Sequence, residues 1–566
     1  MNASCTPITR KAFVTSALAA GACAASGLVQ TASADEATAP AEPAGWLGTE
    51  PAKPQSYDVE LACDVVVVGL GLAGVSATRA ACEAGASVVA FEKGTDFGLG
   101  SKDCCAYGSK LFLERFPEIE PFWAHGAELL ANEISKGCMY RNNARILKKW
   151  IEINGANVDW YMSAVPEEQL SIGTSANGNT FDRMADCTLY AAGWPIPSEY
   201  DPSAENLPCL PGSFKMAGSL NKGFLAANLD RAFDAAGDAL QVFRTTRALR
   251  LLKEDGRVCG VVAQDADGKM YKATAARGVV LATGDFMNDE SMLAALLPQV
   301  LASGYHPNGD NNWYMTKDQD GNSCNTGDGH RMALWAGAKM QDYPCSMSHL
   351  VANACSCFGT VPFLMLDRDG RRFMNEDVQG QQYAESVRQL PERRAFQIFD
   401  AAWPEEMPFM PYGHGKSPSA TQEDLDARIE AGTTVAADTL EELFAAIDID
   451  AEAALVSVAR YNELCDAGAD TDFGKTPSRL FALRTPPFYA AQVGRGDDLV
   501  TMSGIECDEL CRALDADRAV VPGLFVAGNV QGGRFANIYP ETALGVSVSM
   551  ALSFGREAGT NAAASL

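Results

Sequence analysis

The chain has 566 residues, with 45 Lys and Arg against 72 Asp and Glu, which gives a formal net charge of −27 at pH 7. This length allows two or three domains with a large core, and the hydrophobic content of 47% is typical of a globular protein. The negative charge argues against nucleic acid and against anionic membrane surfaces as partners, because both would repel the chain.

Residues 1–34 have the pattern of an export signal. Arg10 and Lys11 precede an apolar, alanine-rich run, and Ala32-Ser33-Ala34 supplies a small-residue cleavage site. The segment Thr9-Arg10-Lys11-Ala12-Phe13 resembles the twin-arginine export signal, with Lys at the second basic position. We therefore predict a cleaved, Tat-like signal peptide, with the export route left open.

Residues 35–58 are rich in Ala, Pro and Glu and are predicted to be a linker. No later segment is long and apolar enough to span a bilayer. We expect an exported, extracytoplasmic protein, in the periplasm or on the outer face of the cell envelope, that meets the membrane through a partner. A membrane anchor in the first apolar run and a lipoprotein at Cys23 are the alternatives.

The cysteines point to no regular metal framework. Of the 17 cysteines, Cys5 and Cys23 lie in the predicted signal, and the odd number that remains cannot all be paired. No Cys-x-x-Cys occurs, which excludes c-type haem attachment and disfavours common zinc sites, so no metal ligand is predicted. A [4Fe-4S] cluster held by dispersed cysteines stays an alternative to small buried side chains.

A dinucleotide fingerprint begins near residue 64. Gly69, Gly71 and Gly74 form Gly-x-Gly-x-x-Gly between an apolar run, predicted to be a strand, and a helical segment that ends at Gly85. A second apolar run then ends at Glu92. The glycines permit a tight turn, close approach of backbone to a pyrophosphate, and close packing of helix on strand, while the acid suits a ribose. The fingerprint alone does not distinguish FAD from NAD.

The rest of the chain alternates between helical and strand-like segments. We predict helices across 118–165, a long loop or insertion across 170–215, and strands across 240–285. Two buried strands ending in glycine turns are predicted at 278–286 and 523–529, followed by a helix from about Ala543 to Gly559. Because these late strands return the chain to the cofactor, the segment between them is inserted and can cover the site.

Five motifs in a fixed order make the pattern more specific: Gly69-x-Gly71-x-x-Gly74 with Phe91-Glu92-Lys93, Leu281-Ala-Thr-Gly-Asp-Phe286, Asn325-Thr-Gly-Asp328-Gly through Ala338, Asp369-Gly-Arg-Arg-Phe-Met-Asn375-Glu376, and Pro522-Gly-Leu-Phe-Val-Ala-Gly528-Asn529. Over about residues 60–560, this set resembles the flavoprotein family of fumarate reductase and succinate dehydrogenase. The resemblance implies an α/β fold, a Rossmann-like FAD-binding domain interrupted by an α+β capping domain.

The resemblance also implies the domain boundaries and the cofactor contacts. The predicted FAD-binding domain comprises 59–343 and 497–566, with the capping, substrate-binding domain at 344–496. The implied cofactor is FAD, whether covalently held or not. The residues expected close to it are Gly69, Gly71, Gly74, Glu92, Lys93, Gly98, Ser101, Gly284, Asp328, Gly528, Asn529, Ala543, Leu544 and Gly545.

The active-site residues that the resemblance implies are only partly present. His349 matches the substrate-side histidine of the family, but Gly380 stands where the family has its proton-donating arginine. Val500 precedes Thr-Met-Ser-Gly where the family has a second histidine, and Tyr539 stands in place of the carboxylate-binding arginine, with Arg534 nearby. A buried dicarboxylate would lack compensating charge, which costs several kcal/mol, so fumarate is disfavoured.

The departures resemble two branches of the family. The Tyr539-Pro540 element is similar to the ketosteroid dehydrogenases, where a tyrosine hydroxyl binds the substrate carbonyl. The run from Asn375 to Gln382 and the export signal are similar to gut actinobacterial flavin reductases of the cardiac glycoside reductase type. We therefore predict an FAD-dependent oxidoreductase acting on CH–CH groups, which transfers hydride from flavin N5 to an activated C=C bond of an enone, enoate or unsaturated lactone.

Four residues are candidates for the chemistry. Tyr539 and His349 are predicted to donate hydrogen bonds or a proton to the substrate, with Arg534 and Arg372 as further candidates for the proton. Each has a structural alternative, namely a packed aromatic, a core histidine or exposed turn charges. We expect a separate electron donor, a membrane-associated cytochrome or quinol-linked protein, because no second dinucleotide fingerprint is visible. A 3-ketosteroid-type dehydrogenase and a non-catalytic flavin electron carrier are the alternative functions.

Overall fold

The computed structural model describes residues 45–97, 103–165, 171–174, 188–192, 210, 212–216, 222–307, 316–342, 345, 347–350, 357–410, 420–494 and 497–565. The chain divides into a unit Met1–Gly45 and a unit Trp46–Leu566. The predicted signal peptide and most of the predicted linker lie outside the described residues. All elements given below belong to the second unit.

The described residues of this unit form 18 strands. They are β1 Val59–Val68, β2 Val88–Phe91, β3 Asp103–Cys105, β4 Ser171–Thr174, β5 Thr188–Ala192, β6 Ser213–Met216, β7 Leu240–Phe243, β8 Thr246–Glu254, β9 Arg257–Asp265, β10 Met270–Leu281, β11 Met347–Leu350, β12 Leu364–Leu366, β13 Arg394–Asp400, β14 Thr434–Ala437, β15 Phe488–Gly494, β16 Asp497–Thr501, β17 Arg512–Leu514 and β18 Val520–Val526.

The helices lie between these strands along the chain. They are α1 Leu72–Glu83, α2 Lys110–Arg115, α3 Glu120–Trp123, α4 Gly126–Gly137, α5 Ala144–Met162, α6 Lys222–Ala236, α7 Glu290–Leu296, α8 Pro298–Ala302, α9 Asp328–Trp335, α10 Gly380–Arg388, α11 Trp403–Glu406, α12 Gln422–Glu430, α13 Leu440–Ala445, α14 Ala451–Ala467 and α15 Val546–Ala564.

The main sheet has a parallel centre, as the fingerprint predicts. Strands β18, β10, β1, β2 and β7 are neighbours in that order and run parallel. Val65 to Val68 of β1 are buried, and Val66 pairs with Val279 on one side and Val89 on the other. A continuous apolar strand is typical of a parallel sheet covered on both faces. The carboxyl ends of these strands form one edge.

Small residues bring two helices close to this sheet. Every residue of α1 from Ala73 to Cys82 is buried. A Cβ added to Gly555 or Gly559 of α15 would lie 2.3 Å from Ala73 O and 2.2 Å from Ala77 O. The glycines therefore let α15 pack against α1, and residues from both ends of the described chain share one core.

A second region forms a sheet of its own. Strands β12, β13, β15 and β14 are neighbours in that order and pair antiparallel, with a core that includes Ile398, Phe444 and Val458. This region lies within the predicted capping domain, and helices accompany its strands, so the predicted α/β fold with an α+β insertion is confirmed. The boundaries of that domain stay a prediction, and we call the described residues 357–410 and 420–494 the capping region. The antiparallel pair β11 and β16 lies beside it.

Some sequence predictions need correction. The segment 170–215, predicted as a loop, supplies strands β4, β5 and β6, which join β3 in a four-stranded sheet. The sequence did not reveal these strands because each is only four or five residues long and is flanked by polar residues and glycines. Such short segments show little alternation of apolar and polar residues. The last helix begins at Val546 and not near Ala543, since Gly545 adopts a left-handed φ of +71° before it. The helices predicted across 118–165 are confirmed as α3 to α5. Among the described helices, none has the length and apolar character needed to cross a membrane.

Candidate cofactor and active site

The glycine turn after β1 builds an open cradle. Gly69 has φ +92°, and a Cβ on Gly74 would lie 1.8 Å from Gly69 O, so helix and turn touch as the fingerprint predicts. A Cβ on Gly71 would meet no atom within 4 Å, and Gly71 lines a cavity. The first N–H groups of α1 therefore face open space, which suits a pyrophosphate.

Glu92 fixes the other side of this turn. It is 6% exposed at the end of β2, and its Oε2 accepts a hydrogen bond from Leu70 N at 2.6 Å. Its Oε1 accepts one from Gly94 N at 2.7 Å. Because a carboxylate offers about four lone-pair sites, Glu92 can bind ribose hydroxyls and hold the backbone at the same time.

A charged cluster closes the same end of the cavity. Asp328, the first residue of α9, accepts hydrogen bonds from Lys93 Nζ at 3.1 Å and from Arg247 Nη2 at 2.7 Å and Nε at 3.0 Å. Burial alone would raise the pKa of Asp328, but the two cations outweigh it and hold that pKa below its usual range. Lys93 and Arg247 together balance the carboxylates of Asp328 and Glu92, which line the same cavity, so groups of both signs face a ligand there.

The ends of β10 and β18 form the far wall. Gly284, with φ +76°, and Asp285 follow β10, while Gly528 and Asn529 follow β18, and all four line the cavity. Asn325 also lines it and donates to Asp285 Oδ1 at 3.0 Å. Burial raises the pKa of Asp285 to about 6.

Two predicted catalytic residues lie directly behind this wall. Arg534 is 1% exposed, and its Nη2 donates to Asn529 Oδ1 at 2.9 Å. The Tyr539 hydroxyl accepts a hydrogen bond from Ser547 N at 3.3 Å, and Ser547 lines the cavity. Tyr539 also packs edge-on against Phe535, with ring centroids 5.2 Å apart. Each residue therefore contacts a residue of the cavity wall without being part of it.

Burial determines the charge states of these two side chains. It lowers the pKa of Arg534 to about 10, so the guanidinium stays protonated at neutral pH. Within the described residues no carboxylate pairs with Arg534, and its Nη1 is buried without a hydrogen-bond partner. Burial raises the pKa of Tyr539 above its usual value, so its hydroxyl keeps its proton. The site thus offers one uncompensated cation and one neutral donor.

The strand pair β11 and β16 and the helix α10 link the predicted capping domain to the FAD-binding domain. Val500 of β16 lines the cavity. The backbone of His349, in β11, pairs with Asp498 of β16, and the His349 side chain lies outside the described residues. At the start of α10, Gln381 N and Nε2 donate to the Glu541 carboxylate at 3.3 and 3.1 Å. This contact ties the capping region to the segment that carries Tyr539.

Arg372 is not brought to the cavity. Its Nη2 donates to Glu376 Oε2 at 2.7 Å and to Asp470 Oδ2 at 2.8 Å, and its Nε donates to Glu376 Oε1 at 2.8 Å. Lys475 Nζ lies 3.6 Å from Glu376 Oε2. These four side chains form a buried ion cluster inside the capping region, and Arg372 does not line the cavity, so the structure does not bring this candidate proton donor to the cofactor site.

The remaining predicted contacts differ in outcome. Gly98 and Ser101 lie outside the described residues. Ala543, Leu544 and Gly545 lie behind the wall, where Leu544 O accepts from Ser213 Oγ at 2.7 Å and a Cβ on Gly545 would lie 2.1 Å from Asp103 O. The α15 residues on the wall begin at Ser547, two positions later. Sequence reasoning missed the wall residues Arg247, Asp285, Asn325, Val500, Ser547 and Val548.

Metal and thiol chemistry finds no support in the described part of the chain. No group of three or more His, Cys, Asp or Glu side chains there could hold a metal ion. The described cysteines are unpaired, and burial raises the pKa of thiols such as Cys105 and Cys507 to about 12. In the absence of a bound cation these side chains are therefore neutral thiols.

A comparison with protein families indicates which cofactor this cavity binds. The model of the FAD binding domain family matches residues 216–546, more than half of the chain. The chain belongs to this family. It is thus an FAD-dependent oxidoreductase, and the predicted resemblance is confirmed.

Two curated relatives extend the comparison beyond the domain. The chain is 27% identical to digoxin reductase from Eggerthella lenta, over 98% of this chain and 96% of the relative. It is 27% identical to the cytochrome-type fumarate reductase from Shewanella frigidimarina, over 88% of this chain and 77% of the relative. These two relatives reduce very different molecules, so overall identity does not choose a substrate for this flavoprotein.

A solved structure supports the same fold. The 3-ketosteroid-Δ4-(5α)-dehydrogenase from Rhodococcus jostii RHA1 superposes with a TM-score of 0.62 at 22% identity, covering 90% of this chain and 98% of that one.

The cavity of this flavoprotein fits FAD on its own geometry. The open space before Gly71 and the fixed Glu92 carboxylate match the pyrophosphate and the adenosine ribose of FAD. Buried polar atoms on the wall also lack protein partners, namely Thr283 Oγ1 and Asp285 Oδ2. Buried polar groups are normally paired, so these atoms indicate a polar ligand.

Proposed function

We propose that this flavoprotein reduces a carbon–carbon double bond conjugated to a carbonyl group, in a small substrate that is not a dicarboxylate: an enone, an enoate or an unsaturated lactone. Bound reduced FAD would supply the two electrons as a hydride to the β-carbon, and the second hydrogen would reach the α-carbon as a proton from a side chain or water. The observation that carries the proposal is that two buried side chains lie behind the wall of the FAD cavity, each one hydrogen bond from a wall residue. They are the neutral hydroxyl of Tyr539 and the cation of Arg534, which has no carboxylate partner among the described residues.

Tyr539 and Arg534 supply complementary stabilisation. When the β-carbon of the alkene is reduced, negative charge develops on the conjugated carbonyl oxygen. The Tyr539 oxygen accepts from Ser547 N, so its own O–H remains able to donate to that oxygen. The buried Arg534 cation favours the same charge in a low-dielectric site. His349 stays our candidate for a further donor on the capping side.

A dicarboxylate is disfavoured by the same residues. Binding two buried carboxylates requires at least two well-placed cations or comparable donors. The positions that would carry them are Gly380, Val500 and Tyr539, which are neutral, and Arg534 is the buried cation that the described residues place behind the cavity wall near Tyr539. Digoxin reductase, a relative across nearly the whole chain, supports a neutral lactone-like substrate class.

Anaerobic assays with reduced viologen would test the reaction. We expect turnover of enones, butenolides or acrylates by the holoprotein, and slow or no turnover of fumarate. The same panel without carbonyl conjugation, such as simple alkenes, is the control. Fumarate as the fastest substrate would contradict the proposed substrate class, and inertness toward the whole panel would contradict the reaction.

The variant Tyr539→Phe tests the role of the hydroxyl. We expect kcat to fall about 100-fold or more, because general-acid and oxyanion-type donors contribute that much, while bound FAD is retained. Tyr383→Phe is the matched control, since Tyr383 is buried in the capping region and its hydroxyl contacts Met365 Sδ. Equal activity of both variants would remove Tyr539 from the mechanism.

A 3-ketosteroid-type dehydrogenase is the second candidate. It is favoured by the Tyr539-Pro540 element and by the shared fold with a ketosteroid dehydrogenase. The direction of reaction separates the two: oxidation of a saturated 3-ketosteroid with a dye acceptor, faster than any enone reduction, would favour the dehydrogenase. A non-catalytic electron carrier would turn over neither.

We also propose an extracytoplasmic location and a separate electron donor. The motivation is the export-like pattern of residues 1–34 and the lack of a second dinucleotide fingerprint in the sequence. The donor proposed is a membrane-associated cytochrome or quinol-linked protein. Cell fractionation should recover mature protein beginning near Asp35 outside the cytoplasm, and NADH alone should not reduce the flavin. Robust NADH turnover, or protein retained in the cytoplasm with Met1 intact, would contradict these points.

A further inference from the structure

Asp285 is a buried carboxylate on the cavity wall. It is 1% exposed and follows Gly284 at the carboxyl end of β10. Its Oδ1 accepts hydrogen bonds from Met287 N at 2.7 Å and from Asn325 Nδ2 at 3.0 Å. Its Oδ2 is buried and has no hydrogen-bond partner. The carboxylate is therefore held by one oxygen, and the other is left for a ligand.

The neighbours of Asp285 fix its position but donate no hydrogen bond to its Oδ2. The Asn529 side chain lies close by and favours the charged form of Asp285, and its own Oδ1 accepts a hydrogen bond from Arg534 Nη2 at 2.9 Å. Phe286 N, next in the chain, donates to Thr501 Oγ1 at 3.2 Å and so fixes the backbone. A buried carboxylate oxygen without a donor is costly to a fold, which makes an ordered donor from the cofactor the natural partner.

The order of the strands tells which part of FAD lies there. Along the edge the strands run β2, β1, β10, β18, and all four are parallel, so their carboxyl ends are side by side. The glycine turn follows β1 and receives the pyrophosphate, while Glu92 follows β2 and receives the adenosine ribose. Asp285 follows β10, on the opposite side of the pyrophosphate. It therefore faces the riboflavin half.

We propose that Asp285 binds FAD directly, with Oδ2 accepting a hydrogen bond from a donor of the riboflavin half. The donors of that half are the ribityl hydroxyls and the N3–H of the ring. The proposal rests on FAD as the cofactor and not on the identity of the substrate.

A carboxylate at this place also affects electron affinity. Its negative charge opposes the charge gained by the ring on reduction, so it lowers the midpoint potential of the flavin. Arg534, on the far side of Asn529, acts in the opposite direction. Removing the charge of Asp285 while keeping its shape should raise the potential.

Full-length holoprotein with Asp285→Asn or Asp285→Ala tests the proposal. We expect FAD to dissociate on dilution with a Kd about 10- to 100-fold higher than that of the wild type, because a hydrogen bond to a charged group is lost, and we expect a more positive midpoint potential. Asp400→Asn is the matched control: Asp400 is 1% exposed, lies in the capping region, and accepts from Ala402 N, Arg484 N and Thr485 N. It should leave both values unchanged.

Binding of FAD analogues to the wild-type protein identifies which FAD group donates the hydrogen bond to Asp285. This experiment also tests the proposal where the variants fail to fold. Weaker binding of 3-methyl-FAD than of FAD assigns the ring N3–H, and weaker binding of an FAD that lacks one ribityl hydroxyl assigns that hydroxyl. Asp285→Asn protein that holds FAD with wild-type affinity and potential would overturn the proposal. So would wild-type protein that binds FAD and all these analogues equally well.

Discussion

The cofactor edge, formed by the carboxyl ends of the parallel strands, and the ion cluster of the capping region treat buried carboxylates in opposite ways. In the cluster, Arg372 donates three hydrogen bonds to Glu376 and Asp470. On the cofactor edge, Asp285 Oδ2 is buried without a partner. A buried carboxylate with both oxygens bonded stabilises a scaffold, whereas one with a free oxygen indicates where a ligand belongs. Burial alone does not separate the two, because both sets of side chains are almost fully buried.

The largest effect is expected where backbone touches backbone on the cofactor edge. In Gly74→Ala the new Cβ would lie 1.8 Å from Gly69 O, so the turn must move. We expect purified protein without bound flavin, checked by its absorbance between 350 and 500 nm, about the range of flavin bands. Gly494→Ala in the capping region, where a Cβ meets no atom within 4 Å, should stay yellow. A yellow Gly74→Ala protein would show that this close contact is not required.

The next effect concerns the ion cluster. Arg372→Met leaves Glu376 and Asp470 buried with only Lys475 near, so we expect a loss of about 3–5 kcal/mol in the free energy of unfolding, measured by urea denaturation. Flavin content of the folded protein should not change. Arg371→Met is the control, since Arg371 is exposed. Wild-type stability with lost activity would instead return Arg372 to the catalytic candidates.

A smaller effect should appear in the pH dependence of stability. The pKa of Asp285 is raised from 3.8 to about 6 in the folded protein, so the unfolded chain binds fewer protons between these values. Stability of the flavin-free protein should therefore fall as pH rises from about 4 to 6, by about 3 kcal/mol. Asp285→Asn should flatten this curve and be more stable than the wild type above pH 6. Parallel urea midpoints for both proteins across that range would contradict the raised pKa.

Sequence reasoning worked best where the backbone itself carries the constraint. Gly69 adopts a positive φ, Gly71 leaves space for a ligand, and Gly74 allows the helix to pack against the turn. Because all three requirements belong to one turn, the glycines occur at a fixed spacing in the sequence. Glu92 is readable for the same reason, because it follows a strand at a fixed distance from the turn. The family resemblance added Gly284, Gly528 and Asn529, which line the cavity.

Sequence reasoning worked less well where the position of a side chain depends on partners that are distant in the sequence. Arg247 reaches Asp328 only because β8 lies beside α9, and nothing near Arg247 in the sequence indicates this. Arg372 looked like an exposed or catalytic charge, but Asp470, 98 residues later, accounts for its place. Ala543 to Gly545 were misplaced by a few residues, since the left-handed Gly545 delays the start of α15. Asp285 stood inside a recognised motif, but its free oxygen is a tertiary property.

The position of β18 and α15 has a consequence for biosynthesis. Residues 520–564 supply a central strand of the cofactor edge and the helix that packs against α1. The FAD site is therefore incomplete until residues 520–564 have been synthesised and have packed against the first βαβ unit. A protein truncated before β18 should be colourless even where that first unit has formed.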